Sequence, residues 1–268
     1  MERATLYRQL PYLKKTIWSG EILAKRYGGN DWGEAYLLSS LKAKSSRMSD
    51  RRFFSQCWRQ HCDEEYPYLI KYIDVKTSLS IQVHPGENSH QRGKNELWLI
   101  DKVRPGGKIY RGFRSGMDPE QWLDCDDKDF LSLMQSENVA AGDTVFIPGG
   151  MIHGAEGISF YEIQDPLDVT YRLFDYGRGR TLQREEGRQA LKAAEHLPDS
   201  HLFSLHRQRF LGDFCMKADA HSFLLFIAGN GILKGMEEDP FFAGDCFFVA
   251  EGGNIVICGQ GTLIYGTI

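Results

Sequence analysis

The fold of this chain is decided by one stretch, Gly142-Asp143-Thr144-Val145-Phe146-Ile147-Pro148-Gly149-Gly150-Met151-Ile152-His153. Residues 143–148 are rich in strand formers and close on a proline, which is tolerated where a strand ends. The glycines that follow can adopt the positive φ of a tight turn. The pattern predicts a short strand, a sharp turn and a second strand that begins near His153.

Similar short strands recur on both sides of this stretch, with glycine and proline between them. The candidates before residue 180 span 68–83, 96–102, 143–148, 159–164 and 169–175. More follow within residues 202–268, and apolar residues at helical spacing predict helices over 48–65, 118–135 and 181–197. Many short strands separated by such turns favour a closed barrel or a jelly roll.

We therefore predict a mainly β fold with two jelly-roll barrels and helical insertions. We expect residues 1–178 to form an N-terminal catalytic barrel, residues 179–200 a helical connector and residues 201–268 a C-terminal barrel. Residues 244–252 (GDCFFVAEG) repeat the glycine-turn pattern, but no histidine follows at the corresponding position. The C-terminal barrel is therefore predicted to be degenerate and to lack metal ligands.

Composition excludes several classes of partner. The 268 residues are 42% hydrophobic and 25% charged, with a net charge of −4, which is typical of a soluble globular protein. No basic stripe is present that could neutralise a run of phosphates, so we expect no nucleic-acid partner. No apolar signal core and no run of about 20 apolar residues is present, so we expect a cytoplasmic protein without a membrane partner.

The six cysteines form no CxxC pair, so we expect them to be free thiols in a reducing compartment. Cys57 and His61 are four residues apart and could share a helix face that holds zinc. No second ligand pair follows at zinc-finger spacing, which favours the simpler interpretation of small buried hydrophobes.

The segment LSIQVHP (79–85) carries a polar row on a predicted strand. Because side chains alternate in a strand, Ser80, Gln82 and His84 lie on one face. Buried polar groups need partners, which a cation and a hydroxylated ligand would supply. A row that simply faces solvent is the alternative, and this segment alone does not decide between the two.

A carboxylate follows twelve residues later, in the segment GKNELW (93–98). Lys94 and Glu96 share a face, and Glu96 can return beside His84 after one loop. A carboxylate beside an imidazole suits a divalent ion. Lys94 offers a cation for a substrate oxyanion, although a solvated surface lysine would look the same in the sequence.

Two further charged residues occur among strand formers, Glu162 in YEIQ (161–164) and Arg172 in TYRLF (170–174). They could act on a substrate bound near the polar row. A structural salt bridge between Glu162 and Arg172 without a catalytic role is the alternative.

The spacing of glycine, five residues, proline, one residue, glycine, two residues and histidine in 142–153 resembles the second sequence motif of cupins. Gln82, His84 and Glu96 then take the three ligand positions of the first cupin motif. This resemblance implies a metal set of Gln82, His84, Glu96 and His153 within a cupin-type barrel. Two imidazoles, one carboxylate and one amide oxygen suit zinc best, and the amide makes a redox-active iron or copper site less attractive.

The segments LSIQVHP, GKNELW, GDTVFIPGGMIH and EIQDPLDVTYRLFDYGR together resemble the type I mannose-6-phosphate isomerase family in its short bacterial form. The resemblance runs in order over residues 16–176. It implies an aldose–ketose isomerase of carbohydrate metabolism that interconverts mannose 6-phosphate and fructose 6-phosphate, with one Zn²⁺ per chain or another divalent ion in its place. It leaves the oligomeric state open.

The same resemblance assigns roles to the remaining site positions. Glu162, Arg172 and Lys94 become the catalytic candidates, with Glu162 as the carboxylate that moves a proton. Ser80, Lys94 and Arg172 become the candidates for binding the sugar phosphate. Two other functions on the same scaffold remain as alternatives, an Fe(II) cupin oxygenase and a non-catalytic sugar-phosphate-binding cupin.

Overall fold

A computed structural model describes residues 2–86, 93–116, 122–123, 125–126, 129–192 and 201–268. The described chain is mainly β with curled sheets, so the predicted fold class is confirmed. No described helix is long and apolar enough to cross a membrane.

Sixteen strands and three α-helices are present in the described residues. In chain order the strands are β1 (Thr5–Leu10), β2 (Tyr12–Lys15), β3 (Trp32–Leu38), β4 (Arg47–Met48), β5 (Leu69–Asp74), β6 (Ile81–Val83), β7 (Glu96–Phe113), β8 (Met134–Glu137), β9 (Thr144–Ile147), β10 (His153–Gln164), β11 (Tyr171–Phe174), β12 (His206–Ala218), β13 (Phe223–Lys234), β14 (Glu238–Phe242), β15 (Cys246–Glu251) and β16 (Gly253–Gly266). The helices are α1 (Ile22–Tyr27), α2 (Phe54–Trp58) and α3 (Arg184–Lys192).

The chain divides into two compact units whose limits differ from the predicted domains. The first unit joins Met1–Leu13 and Ala35–Tyr72 to His201–Ile268, and the second unit contains Lys14–Glu34 and Ile73–Ser200. The difference has a physical reason in strand pairing. β1 runs antiparallel to β15, with Leu6 opposite Val249, so the start of the chain completes the sheet of its C-terminal part.

The first unit is built on a seven-stranded sheet in the order β12-β16-β13-β15-β1-β4, with β14 beside β13. Its core is aromatic. Phe226 and Phe241 are fully buried and stack with ring centroids 4.0 Å apart, and Phe247 packs edge-on against Phe226. Burial of such large apolar side chains is the main source of stability for this unit.

The second unit contains the strands that carry the predicted site, with β6 between β11 and β10. β7 pairs with β10 and also with β8 and β9. α3 lies within the predicted connector and approaches β11 closely. A Cβ on Gly187 of this helix would stand 2.2 Å from Leu173 Cδ2, so glycine permits the contact.

Two of the predicted helical insertions are helical over only a small part of their described residues. In 48–65 only α2 is helical, and its apolar residues Phe54, Cys57 and Trp58 are buried as the spacing requires. In 118–135 a short 3₁₀ turn, Phe130–Leu133, is followed by β8. Because β8 pairs with β7, a sheet partner overrides the helical spacing there. Residues 117–121, 124, 127–128 and 193–200 lie outside the described residues.

We expect Phe226→Ala to lower the free energy of unfolding by about 3–5 kcal/mol, because it removes a buried ring and leaves a cavity. Chemical denaturation followed by tryptophan fluorescence measures the change. Leu211→Ala is the matched control, since Leu211 is 86% exposed and should alter stability by less than about 0.5 kcal/mol. Equal effects from both variants would contradict the assignment of this core.

Candidate metal centre

Three strands of the second unit meet at the predicted ligand positions. Gln82 lies in the middle of β6, Glu96 begins β7 and His153 begins β10. His153 is directly opposite Gln82 in the register of β10 and β6. Directly opposite residues of an antiparallel pair project from the same face, so both side chains point the same way.

The glycine turn before β10 packs against the end of the segment that carries His84. The Gly150 N–H donates to the His84 carbonyl over 2.8 Å. A Cβ on Gly149 would stand 2.4 Å from the Pro85 carbonyl oxygen, so a larger residue would push the turn away. Glycine at this turn therefore allows His153 to approach His84, and their ring centroids lie 4.8 Å apart.

Three potential metal ligands converge at this point. His84, Glu96 and His153 are buried, and their ligand atoms all lie within 4.8 Å of one another. His84 Nε2 is 2.8 Å from Glu96 Oε1, and His153 Nε2 is 3.7 Å from Glu96 Oε2. Among the described residues this is the single group of three or more His, Cys, Asp or Glu side chains with such spacing.

Backbone carbonyls fix the tautomers of both histidines. His84 Nδ1 donates to the Val169 carbonyl over 2.8 Å, and His153 Nδ1 donates to the Met151 carbonyl over 2.9 Å. A carbonyl oxygen can only accept, so each neutral imidazole carries its proton on Nδ1. Both Nε2 lone pairs consequently face the Glu96 carboxylate.

Burial keeps the imidazoles neutral. It lowers the pKa of His84 to about 4, with the nearby Lys94 ammonium acting in the same direction. Burial also lowers the pKa of His153. For Glu96 burial favours the neutral acid, but Lys94 and the two histidines together hold its pKa well below the usual range. At neutral pH the site thus presents two imidazole lone pairs and one carboxylate.

This donor set fits a divalent ion. Lone pairs on His84 Nε2 and Glu96 Oε1 at 2.8 Å repel each other unless a positive charge lies beside them. In the described contacts Lys94 supplies part of that charge, since its Nζ is 2.8 Å from Glu96 Oε1 and 3.2 Å from His84 Nε2. Imidazole and carboxylate are ligands that zinc prefers, and the carbonyl bonds behind the histidines are typical of metal sites.

Three more predicted site residues, Ser80, Gln82 and Lys94, lie beside this group. Ser80 is 4% exposed and Lys94 is 3% exposed, so neither is the solvated surface residue that the sequence allowed. The Ser80 hydroxyl donates to Gln82 Oε1 over 3.2 Å, and Gln82 Nε2 donates to His153 Nε2 over 3.3 Å. The Gln82 amide therefore touches the group with its nitrogen, and its role as an oxygen ligand stays a prediction.

Strand register also brings the two remaining candidates to this face. Glu162 is buried and lies opposite Trp98 on β7, two residues from Glu96. Arg172 on β11 lies opposite Gln82. The Arg172 guanidinium donates to the Thr181 carbonyl over 3.0 Å.

The Arg172 side chain retains donor capacity. Its Nε is buried without a hydrogen-bond partner in the described structure. Burial lowers the pKa of Arg172, and the neighbouring Arg180 and Arg178 act in the same direction. Both neighbours bind Asp175, which compensates part of this positive charge. The cluster can accept an anionic group of a ligand.

Two residues that support the site, Asn95 and Asp165, are not identified as site residues by the sequence pattern. Asn95 donates to Asp165 Oδ2 from both its backbone N–H and its side-chain amide, over 2.8 and 2.9 Å. The Gly149 N–H in turn donates to Asn95 Oδ1 over 3.1 Å. This buried bridge fixes the glycine turn relative to the start of β7. Strand alternation places Asn95 opposite the ligand face, which is why the pattern did not single it out.

No protein-family model matches the chain, but several individual proteins are similar to it. The mannose-6-phosphate isomerase of Streptococcus mutans is 26% identical over 281 residues, which cover 87% of this chain and 88% of that protein. The Bacillus subtilis mannose-6-phosphate isomerase ManA is 28% identical over 189 residues, covering 63% of this chain and 60% of that protein.

Solved structures show the fold. The crystal structure of mannose 6-phosphate isomerase from Bacillus subtilis matches with a TM-score of 0.84 at 24% identity, over 98% of this chain and 100% of that one. A zinc-bound mannose 6-phosphate isomerase matches with a TM-score of 0.68 at 12% identity, over 98% and 99% of the two chains. The cupin-type fold is thereby confirmed, and this chain is a relative of proteins named mannose-6-phosphate isomerases, as its motifs indicate.

Proposed function

We propose that this protein is an aldose–ketose isomerase that interconverts mannose 6-phosphate and fructose 6-phosphate with the help of one divalent ion. The names of its relatives support the reaction. One observation of the site carries the proposal. Two neutral imidazoles and an ionised carboxylate face one another in a buried position beside Lys94, which is a donor set that suits a divalent ion.

We propose His84, Glu96, His153 and Gln82 as the metal ligands, with the Gln82 amide turned to present its oxygen. Zinc is the ion that these ligands suit best, and zinc-bound structures of matching proteins are consistent with it. The bound ion would stabilise negative charge that develops on the sugar oxygens. One ion per chain and a cytoplasmic location remain predictions from the sequence.

The residues of the chain would divide the remaining chemistry. Glu162 removes the proton from C2 of the aldose and returns it to C1, while a proton passes from O2 to O1 through the cis-enediol. Its buried position excludes water that would exchange with the transferred proton. Lys94, which contacts Glu96 and His84, is placed to polarise the reacting oxygens.

We assign phosphate binding to Arg172. Arg172 has a buried Nε that is not used by the described residues, and Arg178 and Arg180 add positive charge beside it. A guanidinium matches the geometry of phosphate oxygens. The Ser80 hydroxyl is placed to bind a sugar hydroxyl.

The direct test follows fructose 6-phosphate formation from mannose 6-phosphate in a coupled assay, with and without a chelator. We expect turnover that a chelator abolishes and that zinc restores, because the buried carboxylate and imidazoles need the ion. Binding of the sugar phosphate without turnover would favour the non-catalytic alternative. Stoichiometric iron with oxygen uptake in protein purified without added metal would favour the oxygenase, which the names of the relatives do not support.

His153→Ala should remove bound metal and turnover together, because one of the two converging lone pairs is lost. Metal content by mass spectrometry and the coupled assay measure the two effects. His206→Ala is the matched control, since His206 is exposed and belongs to the first unit. Full metal content and turnover in His153→Ala would contradict the ligand assignment.

Glu162→Gln should keep the metal and lower kcat by about 10²–10⁴-fold, because the amide has the shape of the carboxyl but cannot accept the proton. Glu156→Gln serves as control, since Glu156 lies on the same strand and bonds to Ser78 and Tyr110. A Glu162→Gln enzyme with nearly full kcat would show that another group moves the proton.

A further inference from the structure

A second pair of histidines stands in the first unit and has no part in the proposed reaction. His61 follows α2, and His221 lies in the turn before β13. Their ring centroids are 5.0 Å apart and their planes are tilted by 50°. Residues 61 and 221 are far apart in the chain, so the fold, not local sequence, brings the two rings together.

The geometry of this pair closely resembles that of the proposed ligand pair. His84 and His153 have centroids 4.8 Å apart and planes tilted by 49°. Two imidazoles that bind one ion place their rings at about this separation, since each nitrogen lies about 2.0–2.1 Å from the metal.

The two rings are held in place by their surroundings. Trp58 contacts both of them, with centroid distances of 6.5 Å to His61 and 5.4 Å to His221. Its indole is fixed by a hydrogen bond to the Glu64 carbonyl over 2.9 Å. Phe248 lies parallel to the His221 ring on another side. Rigid neighbours reduce the entropy that ligands lose when they bind an ion.

The backbone of His221 is constrained as well. Its φ is +64°, a left-handed conformation that is uncommon for residues other than glycine. The residue is held there because its N–H donates to the Val249 carbonyl and its own carbonyl accepts from the Tyr66 hydroxyl over 2.8 Å. Such conformations persist where the surroundings fix them and are more frequent at binding sites.

The ring nitrogens are available for a ligand. Neither imidazole has a hydrogen bond to another of the described residues, and His61 is exposed while His221 is half-buried. Solvent can therefore reach the pair and supply the remaining ligands of an ion. Cys57, the other residue considered for zinc with His61, is buried, and because α2 ends at Trp58 the two do not share a helix face.

We propose that His61 and His221 form a second site for a divalent transition-metal ion, separate from the candidate metal centre. Zn²⁺, Ni²⁺ and Cu²⁺ are the ions that imidazole ligands favour, with water completing the coordination. Two protein ligands instead of three or four make this site weaker and more exchangeable than the candidate centre.

The test adds Zn²⁺ to the zinc-loaded protein in competition with a chromophoric chelator. We expect the wild-type protein to bind one additional equivalent. His61→Ala and His221→Asn should each weaken this additional binding by about tenfold or more, because one of two ligands is lost. Asparagine is chosen at 221 because it tolerates the left-handed backbone. His206→Ala removes an exposed histidine outside the pair and should leave the binding unchanged.

A second measurement uses the wild-type protein alone, so it does not depend on whether the variants fold. In the wild-type protein the ring resonances of His61 and His221 should shift together as the additional Zn²⁺ binds, while those of His206 stay in place. Isomerase activity at low zinc should be unchanged in both variants, so the outcome does not depend on the proposed reaction. The proposal would be overturned if the wild-type protein bound no additional equivalent, or if both variants bound it as tightly as the wild type.

Discussion

The site depends on the burial of one charged carboxylate. Glu96 is 1% exposed, and burial of an ionised group is unfavourable unless opposite charge and donors surround it. Lys94 supplies a positive charge 2.8 Å away, and the Trp98 indole donates to the second oxygen over 3.0 Å. The lone pairs of His84 and His153 face the same carboxylate because backbone carbonyls hold their protons on the far side. Two imidazole lone pairs and a carboxylate thus converge beside Lys94, and a divalent ion would be held by these three groups.

The pairing and register of the strands bring these side chains together at one point. The register of β6 against both β10 and β11 places Gln82 between His153 and Arg172, and the pairing of β10 with β7 places Glu162 opposite Trp98. The bridge from Asp165 through Asn95 to the glycine turn fixes the strand ends relative to each other. A rigid scaffold of this kind keeps ligands preorganised, so the energy of ion binding is not lost to rearrangement.

Much of this arrangement could be predicted from sequence, because the ligands occupy short motifs with fixed spacing and alternate regularly along strands. The mainly β class follows from the same patterns. The burial of Ser80, His84 and Lys94 does not, since a polar row that faces solvent has the same sequence pattern. The features that depend on pairing between distant parts of the chain could not be predicted. β1 joins β15 across most of the chain, which moves the start of the protein into the C-terminal unit. The His61–His221 pair likewise arises only through tertiary contacts, and β8 replaces part of a predicted helix because β7 offers it a sheet partner.

Anomalous diffraction at the zinc absorption edge, from crystals of catalytically active protein purified without added metal, tests the central claim most directly. The account predicts an anomalous peak at about 2.0–2.2 Å from His84 Nε2, His153 Nε2 and a Glu96 carboxylate oxygen. A well-ordered site without such a peak, in which Lys94 alone compensates the charge of Glu96 in active enzyme, would contradict it.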